Sequence, residues 1–141
     1  MRDFSKPRTY ILSAYRSDQG EHTNQIAHAN LVCDLALEGV TFRDAEGCYR
    51  GAREACVVIY GAQHERVVKR LAFENNQETY LVVAEHDRTT YLVDTETERH
   101  VCLGKLRNVG QAEPVDAEGW TFVDGHYFVA SGGGTDLQGG F

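Results

Sequence analysis

The chain is short of basic residues, with 14 Lys and Arg against 21 Asp and Glu and a formal net charge of −7 over 141 residues. A net negative surface argues against binding nucleic acid or anionic membrane, because both need a positive field. The acids are too few and too scattered for a mimic of DNA. Cysteine is sparse as well. Cys33, Cys48, Cys56 and Cys102 form no CxxC pair, and their spacing matches no zinc pattern. They read as reduced thiols of a cytosolic protein, with Cys33 and Cys56 as small core residues inside apolar runs. No stretch approaches the ~20 apolar residues of a membrane span. The segment from Met1 to Pro7 lacks the apolar region of a signal peptide, so a cytoplasmic protein is expected. Walker and Rossmann glycine patterns are missing. The six His are scattered and suggest no metal triad.

What remains is ordinary globular material, 42% hydrophobic and 25% charged. One domain is expected over residues 1–130, followed by a flexible Gly-rich tail over 131–141. Thr9 to Tyr15 is β-branched and aromatic and reads as a strand. Ile26, Ala29, Cys33, Ala36 and Val40 fall on one helical stripe, with Gly39 as a stop. Thr41 to Tyr49 reads as a second strand with a bulge near Asp44 to Gly47. Cys56 to Tyr60 is a continuous apolar run suited to a buried central strand. A second amphipathic helix spans His64 to about residue 76. Thr79 to Ala84 is a fourth strand. Two hairpins follow, one over Thr90 to Leu106 and one turning at Asp124-Gly125.

The order through Ala84 is β-α-β-β-α-β, which predicts a ferredoxin-like, GlnB-like α+β sandwich with both helices on one sheet face. The opposite face also carries apolar residues. Either the C-terminal hairpins or a second subunit must cover it.

Two stretches carry chemistry. One is Leu12-Ser13-Ala14-Tyr15-Arg16-Ser17, a strand end passing into a polar loop. The other is Gly47-Cys48-Tyr49-Arg50-Gly51-Ala52-Arg53-Glu54, a turn richer in charge than chain reversal needs. Tyr49 offers a ring face and a hydroxyl, and Glu54 a carboxylate ahead of an apolar strand. An aromatic face beside a carboxylate suits a cationic ligand. On residue types alone the same turn also reads as a solvated hairpin in which Arg50 or Arg53 pairs with Glu54. The Ser13 to Ser17 stretch also reads as a plain strand end. Cys48 has no base beside it and is not read as a nucleophile.

Taken as a pair, the stretches resemble the phage-encoded S-adenosylmethionine lyases, formerly described as hydrolases. That family has a Ser-Ala-Phe-Arg-Ser element and a Gly-Cys-Tyr-Arg-Glu-Ala element in the same order at similar separation. This chain has Tyr15 in place of Phe and Gly51 in place of Glu, with a shorter path to the next acid. The resemblance implies Glu54 and Tyr49 as catalytic residues. It implies Ser13, Ala14, Tyr15, Arg16, Ser17 and Arg50 as substrate-binding residues. It further implies a GlnB-like homotrimer with active sites between subunits and S-adenosylmethionine as substrate. The expected reaction is intramolecular, giving 5′-methylthioadenosine and homoserine lactone without metal or cofactor. The expected role is phage defence against host restriction. The competing expectations are a non-catalytic GlnB-like trimeric sensor of an adenine-containing metabolite, and a structural protein with no ligand.

Overall fold

The computed structural model describes residues 7–49 and 51–132. Along these residues run β1 (Arg8–Leu12), α1 (Glu21–Leu37), β2 (Phe42–Tyr49), β3 (Ala52–Tyr60), α2 (Glu65–Glu74), β4 (Thr79–Ala84), β5 (Thr89–Asp94), β6 (His100–Gly110), β7 (Gly119–Val123) and β8 (His126–Gly132). A 3-10 turn at Ala62–His64 leads into α2. The expected Gly-rich tail lies outside the described residues from position 133 onward.

The β-α-β-β-α-β order is present, but the sheet does not stay open. Its strands pair antiparallel in the ring β1-β3-β2-β7-β8-β6-β5-β4, which closes on itself. The fold is therefore a closed eight-stranded antiparallel barrel with two helices against its outside. It is not the ferredoxin-like or GlnB-like sandwich expected from the sequence.

The reason lies at the sheet edges. In an open sheet of this order, β2 and β4 would each end in a row of unpaired N–H and C=O groups. Here β7 takes the edge of β2, from Glu46↔Phe122 to Tyr49↔Gly119. Strand β5 takes the edge of β4, from Thr79↔Asp94 to Val83↔Thr90. The β6–β8 pairing joins the two additions and leaves no edge. The segment after Ala84 thus forms half of the barrel wall.

Closure produces two cores from one alternation. Tyr10, Leu12, Val57, Ile59, Tyr80 and Val82 face the helices and pack with Leu31, Leu35, Val68, Leu71 and Ala72. Their neighbours Ile11, Cys56, Val58 and Val83 face the barrel interior and meet Val123, with Ala45, Leu81, Leu106 and Phe128 packed around them. Burial on both faces explains why β3 reads as an unbroken apolar run. The far wall of the barrel covers the face that the helices leave, so a second subunit is not needed for that task.

Two local expectations are corrected. Helix α1 buries Asn24, Leu31 and Leu35, while Ile26 and Cys33 are exposed. The helix turns Leu31 and Leu35 inward, which removes more apolar area from water than burying Ala29 and Cys33 would. Strand β2 carries no bulge, and its register with β3 runs unbroken from Phe42↔Ile59 to Tyr49↔Ala52. The irregularities fall instead in β5–β6 and β6–β8. All four cysteines are free, and Cys56 is buried, which pushes its thiol pKa up to about 12.

Ile59→Ala is expected to cost about 2–5 kcal/mol in urea unfolding, through lost burial and the cavity left behind. Leu37→Ala, at a position 82% exposed, is expected to stay within about 0.5 kcal/mol of wild type. Equal midpoints for the two variants would contradict the packing described.

Candidate active site

Both stretches singled out in the sequence reach the same end of the barrel. The first leaves β1. Ser13 is buried, and its hydroxyl donates to the Ala55 carbonyl at 2.8 Å. It also accepts the Tyr15 backbone N–H at 3.0 Å. These bonds carry the β1–β3 contact past the last ladder pair and aim the chain at Tyr15. Ala14 is buried in the helix-side core.

Tyr15 is half-buried. Its hydroxyl donates to Glu21 at 3.1 Å, and its ring meets His28 edge-on with centroids 6.4 Å apart. Burial raises its pKa, the Glu21 hydrogen bond and charge add to this, and the charge of Glu54 adds further. Tyr15 and Glu54 therefore lie within each other's electrostatic reach.

Arg16 points elsewhere. Its guanidinium forks onto Asp18 with two 2.9 Å bonds and donates to the Asn76 carbonyl just past α2. The Asp18 hydrogen bond raises the Arg16 pKa, and Arg16 in turn lowers that of Asp18. Asn24, buried on α1, accepts the Arg16 N–H at 2.9 Å and donates to the Arg16 carbonyl at 3.0 Å. Sequence reasoning missed Asn24. The available signal was a carboxamide one helical turn ahead of the apolar stripe. Ser17 is exposed.

Ala14, Arg16, Asn24 and Asn75 line a polar cleft of about 510 Å³ between the loop and the helix ends. Neither Tyr49 nor Glu54 lines it. The Ser13 to Ser17 loop thus holds Tyr15 against Glu21 and His28 of α1 and turns Arg16 toward the cleft.

The second stretch forms the β2–β3 hairpin, with Gly51 at its tip in the left-handed region at φ +82°. Arg50 lies outside the described residues. Register places Glu54 opposite Gly47 and Tyr49 opposite Ala52. Tyr49 and Glu54 are therefore diagonal neighbours on one face of the hairpin, at the rim of the barrel interior. A Cβ on Gly47 would lie 3.7 Å from Glu54 Cγ and 3.9 Å from Glu54 Oε1, so the Glu54 side chain lies against the backbone at Gly47.

Glu54 is exposed as a residue, yet protein packed around its carboxyl raises its pKa by partial desolvation. Among the described residues no cation pairs with it. Its neighbour Arg53 falls on the opposite face of the strand. There it lies 5.3 Å from the Trp120 ring centroid, 3.2 Å from Glu46, and against Glu113. The Arg53–Glu54 surface pair open on residue types alone is not formed. Cys48, opposite Arg53 and Trp120, shares that outer face.

Tyr49 is 58% exposed, and its hydroxyl lies 3.2 Å from Glu118 Oε1. Glu118 was not found from sequence, because it reaches Tyr49 only through the β2–β7 pairing. The arrangement offers a carboxylate of raised pKa diagonally beside the Tyr49 ring, a pair that can hold a cation carrying apolar groups.

No helix among the described residues is long and apolar enough to cross a membrane. No curated protein gives a significant match to the chain. The model of the S-adenosylmethionine lyase family matches residues 10–131, which include the β1 exit, the β2–β3 hairpin and the strands that close the barrel. With that match over most of its length, this chain belongs to the S-adenosylmethionine lyase family.

Proposed function

We propose that this lyase cleaves S-adenosylmethionine by intramolecular displacement, with Glu54 as the anchor of the substrate's α-ammonium. The substrate carboxylate attacks its own γ-carbon. The C–S bond breaks, sulfur keeps the electron pair, and 5′-methylthioadenosine leaves as homoserine lactone forms. Nucleophile and leaving group both belong to the substrate, so the reaction needs no cofactor. The protein's task is to fold the methionine tail into an attacking conformation and hold it away from water. Attack cancels a carboxylate charge against a sulfonium charge, so a less polar surrounding favours the transition state.

The observation that carries this reading is Glu54, a carboxylate with a raised pKa that pairs with no cation among the described residues and sits diagonally from Tyr49 on one face of the hairpin. With the ammonium held there, the substrate carboxylate is left to turn toward the γ-carbon. The Tyr49 ring covers the methionine portion beside the sulfonium. Backbone groups of Ser13 to Ser17 steady the rest of the substrate. Arg16, tied to Asp18 and Asn76, shapes that loop.

The reading extends to a homotrimer with sites between subunits. In support, Tyr49 is largely exposed, and a neighbouring chain over it would supply the exclusion of water that the chemistry needs. Light scattering is expected to give three times the 15.8 kDa of one chain. A monomeric mass with full activity would remove this part of the reading.

The proposed biological role is phage counter-defence. Destroying S-adenosylmethionine deprives methyltransferases, and restriction systems that require it, of their cofactor. Expression in a host with such a system is expected to raise the plating of unmodified phage over an empty vector. Unchanged plating despite depleted S-adenosylmethionine would exclude the role.

Glu54→Gln is expected to reduce methylthioadenosine release at least roughly a hundredfold by removing the charge that holds the ammonium. The pH dependence has a definite sign. The folded-state pKa lies above the ordinary 4.5, so wild-type activity should fall on acidification at a higher pH than an unperturbed Glu would give. Any stability from protonated Glu54 is fully present below about pH 4.5 and lost as pH rises through the raised value. At neutral pH this shift therefore adds no stability, and Glu54→Gln should melt no lower than wild type. A folded Glu54→Gln protein with wild-type turnover would refute the assignment, and homoserine found at early times in place of its lactone would refute the intramolecular route.

A further inference from the structure

The start of β7 is shaped around Tyr49. Register places Gly119 directly opposite Tyr49 across the β2–β7 ladder. A Cβ there would fall 3.0 Å from the Cys48 carbonyl oxygen and 3.3 Å from Tyr49 Cδ2. A side chain there would push the Cys48 carbonyl and the Tyr49 ring back by a few tenths of an ångström, so the glycine lets the ring lie this close to β7. The residue before it, Glu118, brings Oε1 to 3.2 Å from the Tyr49 hydroxyl. A carboxylate is acceptor only, so the tyrosine O–H is the donor in this bond.

The segment carrying Glu118 is tied down independently. Five residues earlier, Glu113 pairs with Arg53, which is itself fixed between Glu46 and the Trp120 ring. Strand alternation puts Arg53 and Tyr49 on opposite faces of the hairpin. The β6–β7 connection therefore grips the hairpin on both faces, and Glu118 is its inner contact.

We propose that Glu118 is a positioning residue that holds the Tyr49 hydroxyl proton away from the substrate. A tyrosine hydroxyl has one proton. With that proton given to Glu118, the phenolic oxygen meets everything else as an acceptor. An acceptor suits a sulfonium. A donor would suit the substrate carboxylate, which is the nucleophile of the proposed reaction, and a hydrogen bond to that carboxylate would stabilise it and slow its attack. Glu118 thus decides which end of a zwitterionic substrate Tyr49 serves. This inference rests on the substrate reading given above and adds a residue to it.

The test is a double-mutant cycle with S-adenosylmethionine as the probe. Glu118→Ala in the otherwise wild-type protein is expected to lower kcat roughly tenfold, with KM changed less than about threefold. Glu118→Gln, whose carbonyl oxygen still accepts the hydroxyl proton, is expected to recover most of that loss. In a Tyr49→Phe background, Glu118→Ala is expected to have no further effect, because there is no proton left to hold. A purely structural role would give the same kcat loss in both backgrounds, and that result overturns the proposal. Wild-type kcat in folded Glu118→Ala overturns it as well, leaving the substrate reading intact. Wild-type protein that does not turn over S-adenosylmethionine overturns the substrate reading and this inference with it.

Discussion

The pairing of β2 with β7 is the interaction on which the rest of this molecule depends. It runs for four residue pairs, from Glu46↔Phe122 to Tyr49↔Gly119. Backbone hydrogen bonds add only about 1 kcal/mol each to stability, but leaving such groups buried and unpaired costs more. Satisfying the free edge of β2 is thus a strong local demand, and β7 meets it. Once β7 is there, the β7–β8 hairpin turns back to β6, β6 pairs with β5, and β5 meets the other free edge on β4. The face of β3 that the helices leave becomes the lining of a barrel. The same pairing that encloses Cys56 and Val58 also carries Glu118 and Gly119 to Tyr49.

The candidate site occupies the rim of this enclosure, where the barrel interior meets solvent. Strand alternation divides the labour there. Arg53 faces outward and holds the β6–β7 connection through Glu113, whereas Glu54, one residue on, faces the rim away from that cation. Had both pointed the same way, a surface ion pair would have neutralised the carboxylate. Glu54 is left without a cation among the described residues, and its pKa is raised. The Ser13 bonds to Ala55 and Tyr15 and the Asn24 bonds to Arg16 hold the adjoining loop without occupying the carboxylate.

Much of this was legible along the chain. The Asp124-Gly125 pair marks its hairpin because both residues adopt positive φ, +53° and +81°, which Asp-Gly tolerates. Cys56 to Ile59 announces a strand buried on both faces by having no polar alternation. Glu54 and Tyr49 stood out because a simple reversal requires neither. Other features were hidden. The periodicity of α1 admits two stripes, and only contact with the sheet selects Leu31 and Leu35 over Ile26 and Cys33. Nothing local to Arg16 says that its guanidinium also reaches the Asn76 carbonyl and so lines a cleft that Glu54 does not.

Sequence by itself determined the elements, their order through Ala84, and the residues from which a cation site could be built. These follow from periodicity, turn chemistry and residue type, which act over a few neighbours. Tertiary structure alone decided that the sheet closes into a barrel. It alone decided that Arg53 serves Glu113 in place of Glu54, and that Glu118 stands beside Tyr49 across 69 residues of chain. Those outcomes depend on which distant strand satisfies an unpaired edge. A strand of the right composition can pair with several edges, so the choice is made by the energy of the whole closed sheet.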